Sequence, residues 1–143
     1  MQDFEVFLNA TPEQKEEMSD AEVFHAAVTI VAQKLHSDGT EILQVNRELG
    51  SIPAIWSKRN GEISYVIVSF SRYPNNAQPP QNLAEVKKSL KDEGYDGYWV
   101  GVALANEFEI FDPNSEYGMP LMRGFGLFPK ISELIPLNEV ISE

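Results

Sequence analysis

Asn60-Gly61-Glu62-Ile63-Ser64-Tyr65-Val66-Ile67-Val68-Ser69-Phe70-Ser71 is the stretch on which the fold turns. Asn60-Gly61 signals a two-residue hairpin, because both residue types tolerate the positive φ of a type I′ turn. It joins a strand over Ile52–Lys58 to one over Ile63–Ser71. Within the second, Tyr65-Val66-Ile67-Val68 is apolar without alternation and rich in β-branched side chains. That pattern belongs to a central strand buried on both faces.

Working outward, Ser19-Asp20-Ala21-Glu22 is a capping box that opens a helix to about Ser37. Phe24, Ala27, Val28, Val31 and Leu35 form its apolar stripe, widened by Val23 and Ile30. Gly39 suits the C′ position, and a short strand over Glu41–Asn46 follows. Pro53 marks a strand start or an edge. Residues 74–82 are turn formers. A second helix begins near Asn82, with Leu83, Val86 and Leu90 on one face, and Gly94 ends it. Tyr98–Ala105 and Phe108–Phe111 read as strands. Residues 112–129 read as irregular, and Ile131–Ile135 and Glu139–Ser142 as short helical turns. At the other end, Thr11-Pro12-Glu13-Gln14 opens a short helix to about Glu17.

The order is therefore αβββαβ in one α/β domain, a central mixed β-sheet flanked by helices. Residues 1–18 form an acidic N-terminal segment, 19–111 the core and 112–143 an irregular C-terminal segment. The hairpin makes its two strands antiparallel, and the crossover helix favours a parallel connection to the next strand.

Length and charge narrow the function. The chain has 143 residues, no cysteine and a formal charge of −11. There is no disulfide framework, thiolate chemistry or cysteine-ligated zinc. Residues 1–22 carry a net −6 and residues 107–143 a net −5, while the middle is balanced. Such a body is repelled by a duplex, so nucleic acid is disfavoured. The basic clusters, Lys58-Arg59 and Lys87, Lys88, Lys91, read as a hairpin tip and a solvated helix face. A basic protein partner fits the charge better. No apolar run approaches the ~20 residues of a membrane span, so no membrane partner is expected. The start lacks a basic n-region, and the expected address is the cytoplasm.

The layout resembles the common core of the restriction-endonuclease-like (PD-(D/E)XK) nucleases over roughly residues 20–105. The resemblance rests on Glu22 of the first helix, on Gly39, on Leu49-Gly50-Ser51-Ile52-Pro53-Ala54-Ile55, and on the hairpin into Tyr65-Val66-Ile67-Val68-Ser69. It implies an acid on the first helix, an aspartate opening the second strand and a Glu-x-Lys triplet on the third. Here Pro53 or an apolar neighbour stands at the aspartate, and Ile67-Val68-Ser69 at the triplet. Isoleucine offers no hard oxygen for Mg²⁺, so the resemblance implies a scaffold without its catalytic motif.

Other constellations have plain structural readings. Glu22 is the N3 glutamate of the Ser19 box. His25 and His36 lie about 16 Å apart along one helix, too far to share a metal. Asp112, Asn114 and Glu116 alternate as in a calcium loop, but Arg123 stands where the terminal glutamate belongs. Gly124-Phe125-Gly126 lacks the strand and helix of a phosphate loop. Ser69 and Ser71 lack a base. Met119, Met122 and Phe125 form an apolar stretch that either closes the core or contacts a partner, and Arg72-Tyr73 is a second candidate contact.

Two classes of function follow. The first is a non-catalytic protein-interaction domain, an acidic inhibitor or immunity-type binder. The alternative is a metal-dependent nuclease or phosphodiesterase with a rearranged site, using Glu22, Glu48 and Glu62 as acids and Lys58 as base. A homodimer through an apolar patch is a third expectation. No cofactor is expected.

Overall fold

The computed structural model describes Pro12 and residues 16–107, 121–123 and 126–137. Helix α1 spans Asp20–Ser37. Its N-terminus carries the expected capping box: the Glu22 amide donates to Ser19 Oγ at 3.3 Å, and the Ser19 amide donates to Glu22 Oε1 at 3.1 Å. Strands β1 (Glu41–Val45), β2 (Ile55–Arg59) and β3 (Glu62–Arg72) follow. Helix α2 covers Leu83–Asp92 and leads to β4, Asp96–Asn106. Two shorter strands, β5 (Leu127–Ile131) and β6 (Ile135–Pro136), end the described chain.

The sheet is mixed. Its order is β1-β2-β3-β4-β5, with β6 also on β4. Asn60 (φ 54°) and Gly61 (φ 82°) make the hairpin turn with both residues in the left-handed region, as their residue types allow. β3 and β4 are parallel and pair continuously from Ser64–Asp96 to Arg72–Leu104. On the far side of β4, β5 pairs antiparallel with Val102–Asn106 and β6 with Tyr98 and Trp99. Gly101 lies between them, and its amide donates to Ser132 Oγ while its carbonyl accepts from the Ser132 amide. One serine thus bridges the gap between the two short strands.

The two faces are built differently. Toward α1, Val66 and Val68 of β3 and Val100, Val102 and Leu104 of β4 pack on Val23, Phe24, Ala27, Val28, Val31 and Leu35. Burying one such aliphatic side chain contributes about 1.5–3 kcal/mol, so this face dominates the core. The α2 face is smaller and aromatic, with Tyr65, Ile67, Leu83, Trp99 and Leu137 buried and Trp56, Val86 and Leu90 against them. There β4 alternates Gly97, Trp99, Gly101. The Tyr65 ring occupies the space a Cβ on Gly97 would take, and the Trp99 ring occupies that of Gly101.

Several expectations change. Ile131–Ile135 was expected to be helical and the segment before it irregular. Instead, Leu127–Ile131 and Ile135–Pro136 are strands. Pro129 breaks the sequence pattern, but an edge strand tolerates a residue without an amide donor. Glu17, expected at the end of a short helix, forms an isolated antiparallel bridge with Met122. The rest of that helix, the strand over Phe108–Phe111 and the turn over 139–142 lie outside the described residues.

Candidate functional site

β2 pairs with β3 only as far as Ile55–Val66. From Ile67 to Phe70, β3 therefore has no strand partner on that side. A groove of about 240 Å³ opens there, lined by Phe24, Leu49, Ile52, Ile67, Phe70 and Pro80 among others. The loop before β2 supplies one wall, and its Leu49 and Ile52 are 48% and 37% exposed. Phe24 meets Phe70 edge-on at a 6.0 Å centroid distance on the α1 side.

The groove lies where the nuclease resemblance directs attention. Ala54 is buried at 1% exposure beside Pro53, and Ile67 is equally buried. The Ser69 hydroxyl accepts a hydrogen bond from the Trp99 indole N–H at 2.9 Å. Ile67 packs with Leu83 and Trp99, so it serves as core. The site thus offers hydrocarbon and one engaged hydroxyl. Among the described residues, no three histidine, aspartate or glutamate side chains gather where a metal ion could be held.

The expected acids separate. Glu22 is claimed by α1 and by Arg123, whose Nε and Nη2 donate to it at 2.8–3.0 Å, and Arg123 also pairs with Glu16. Glu48 is exposed in the loop before β2, and Glu62 is exposed at the hairpin beside Gly61. Lys58 is exposed on β2, and His25 and His36 are exposed on α1.

Of the expected contact residues, Arg72 turns inward. Its Nη2 donates to the Met18 carbonyl at 2.8 Å and to Asp20 Oδ1 at 3.0 Å, and its Nη1 lies 3.7 Å from Glu17. The Tyr73 ring lies under the Lys130 ammonium at 5.1 Å. Met122 is half-buried, and Leu121 before it is buried in the α1-face core. This part of the apolar stretch therefore closes the core. Met119, Phe125, Asp112, Asn114, Glu116 and most of the Gly124–Gly126 loop lie outside the described residues. Leu49 and Ile52 were quoted in the resemblance but not singled out as contacts. Their signal is two large aliphatic residues in a loop that must reach the surface.

The Arg123 guanidinium, then the Ser19 amide, hold the Glu22 carboxyl down from its ordinary 4.5 to about 2. The folded value lies below the unfolded one. The stabilisation is therefore fully present above pH 4.5 and disappears as pH falls through 2. Arg123→Gln is expected to return the Glu22 carboxyl toward 4.5 and to flatten the acid limb of the stability profile. Carbon-detected titration of the Glu22 carboxyl measures it, and an unmoved midpoint would assign the shift to the capping box alone.

With this geometry in place, comparison with known proteins adds one match. A family model described as a domain of unknown function (DUF8840) matches residues 21–137. The chain belongs to the DUF8840 family. No curated protein and no solved structure was found to match it. The DUF8840 match takes in both helices and all six described strands, so the groove and both of its walls belong to the family domain.

Proposed function

We propose that this DUF8840 chain is a non-catalytic protein-interaction domain on a restriction-endonuclease-like scaffold. It acts in the cytoplasm as an acidic binder, of inhibitor or immunity type, that covers a basic surface of its partner. The observation that carries this reading is the groove beside Ile67–Phe70. Hydrocarbon stands where such a scaffold would hold carboxylates, a serine hydroxyl engaged by Trp99 stands where it would hold lysine, and two aliphatic side chains are exposed at the groove's mouth. Exposed aliphatic anchors beside a pocket suit a protein contact. The element order, with α1 before a three-strand meander and α2 leading to a parallel β4, supports the scaffold assignment. The charge of −11 supports fast association with a basic surface. Among the described residues, no helix is long and apolar enough to cross a membrane.

The test pairs two experiments. Tagged protein is used for capture at low and at ~0.5 M salt, where the screening length shrinks to a few Å. Leu49→Asp/Ile52→Asp is the control. A basic protein retained by the native chain at low salt, released at high salt and lost by the double variant is the expected result. Each lost anchor is expected to weaken binding by about 2 kcal/mol, or ~30-fold. Equal capture by the double variant would remove the groove from the contact. Cleavage of single- or double-stranded substrate by the purified chain with Mg²⁺ or Mn²⁺ would overturn the non-catalytic reading itself.

A further inference from the structure

A second cleft, of about 260 Å³, lies at the amino ends of β3 and β4, away from the groove. Lys87 and Lys91 border it from α2, Asp96 and Tyr98 from β4, and Leu137 from the chain after β6. Tyr65 lines it from within the sheet. That tyrosine is 1% exposed and its ring lies against Gly97. Its hydroxyl makes no hydrogen bond within the described structure and is not among the buried unpartnered polar atoms, so it is open to the cleft. Lys87 and Lys91 are four residues apart on one helix face, and both side chains border the same opening. Neither forms an ion pair in the described structure. Here two cations and one phenolic donor border a small concavity with a single carboxylate, Asp96, on a protein that is otherwise strongly acidic.

We propose that this cleft binds a phosphoryl group of a small molecule, with the Tyr65 hydroxyl and the Lys87 and Lys91 ammonium groups as donors. A tetrahedral oxyanion presents acceptors in several directions and matches three converging donors. Charge-assisted hydrogen bonds of this kind are the stronger class. Burial, then the Asp96 carboxylate, push the phenol up from its ordinary 10.0, so it remains a donor at neutral pH. Asp96 opposes the anion and sets the affinity low. Tyr95, Asp96 and Tyr98 also border a wider cleft of about 730 Å³ whose lining includes Thr40, Ser57 and Ser64. It gives the remainder of a phosphorylated molecule room on a hydroxyl-bearing surface.

The experiment is a titration of the full chain with inorganic phosphate, followed by amide chemical shifts, against sodium chloride at matched ionic strength. Saturable shifts at Tyr65, Lys87, Lys91 and Asp96–Tyr98 are expected, with a Kd of about 1 mM. Lys87→Gln/Lys91→Gln is expected to weaken binding at least about tenfold by removing both charge-assisted partners. Lys88→Gln, next in sequence but outside the cleft lining, leaves it unchanged. Asp96→Asn tightens it. Thermal melts show that each variant is folded before its titration is read. Shifts no larger than those in chloride, or binding indifferent to the Lys87/Lys91 pair, overturn the proposal. Acetate shifts as large as those from phosphate overturn the phosphoryl assignment.

Discussion

Ile67→Glu is expected to destabilise the protein by about 3–5 kcal/mol at neutral pH, the usual cost of a buried charge without a partner. Ile67 is 1% exposed and packs with Leu83 and Trp99. Its packing neighbours in this cluster are hydrophobic, and the nearby Ser69 hydroxyl already accepts from Trp99. The new carboxyl would hold its proton in the folded state. Its folded pKa then lies above its unfolded one, so the loss grows as pH rises above about 4.3 and is smaller at pH 5 than at pH 8. Urea unfolding at the two pH values measures this, with Ile67→Val as a control costing about 1 kcal/mol. A variant as stable as the native chain at pH 8 would mean that the groove hydrates a charge at position 67. The non-catalytic reading would then lose its main support.

Gly97→Ala is expected to cost about 1–3 kcal/mol, the usual penalty for overfilling a packed site. Tyr65 and Gly97 are directly opposite in the parallel ladder, and a Cβ on Gly97 would overlap the phenol ring. The ring is wedged in the sheet interior and has little freedom to give way, unlike the end of a flexible side chain. A double-mutant cycle with Tyr65→Leu checks the cause. If the ring is the obstacle, Gly97→Ala becomes much cheaper in the Tyr65→Leu background, and the two changes are strongly non-additive. Additive losses would place the penalty in the β4 backbone instead.

How much of this was legible in the sequence differs by element. The capping box and apolar stripe of α1 were plain because helix signals are local. Asn60-Gly61 fixed the hairpin for the same reason, and the unbroken run from Tyr65 to Val68 placed β3 in the interior. β5 and β6 were not legible. Pro129 and Pro136 interrupt them, and a five-residue and a two-residue strand take their pairing from β4 rather than from their own residues. The groove was half legible, since the absence of carboxylates at Pro53, Ala54 and Ile67 could be read directly. The exposure of Leu49 and Ile52 depends on where β2 stops. The cleft at Tyr65 was not legible. Lys87 and Lys91 looked like a solvated face because nothing local shows that a strand tyrosine, twenty-two residues earlier, lies beneath them. The partners of Arg72 were not legible for a similar reason, because Glu17, Met18 and Asp20 precede it by more than fifty residues.

The ties around α1 bear on the order in which the chain is made. The Met18 amide donates to the Leu121 carbonyl, Glu17 bridges Met122, and Glu22 is clasped by Arg123, 101 residues later. A polypeptide leaving the ribosome holds α1 long before these partners exist. Until about residue 123 has emerged, the amino end of that helix has its own capping box and the Arg72 contacts to Met18 and Asp20, but not these later ties. The loop that must close is about a hundred residues long, and its closure entropy is met only once β3 and β4 have brought the ends together. The last contacts to form are therefore those that fasten the first helix. A nascent or truncated chain lacking them would leave Val23 and Phe24 less protected, visible as faster amide exchange at the start of α1 than at its end.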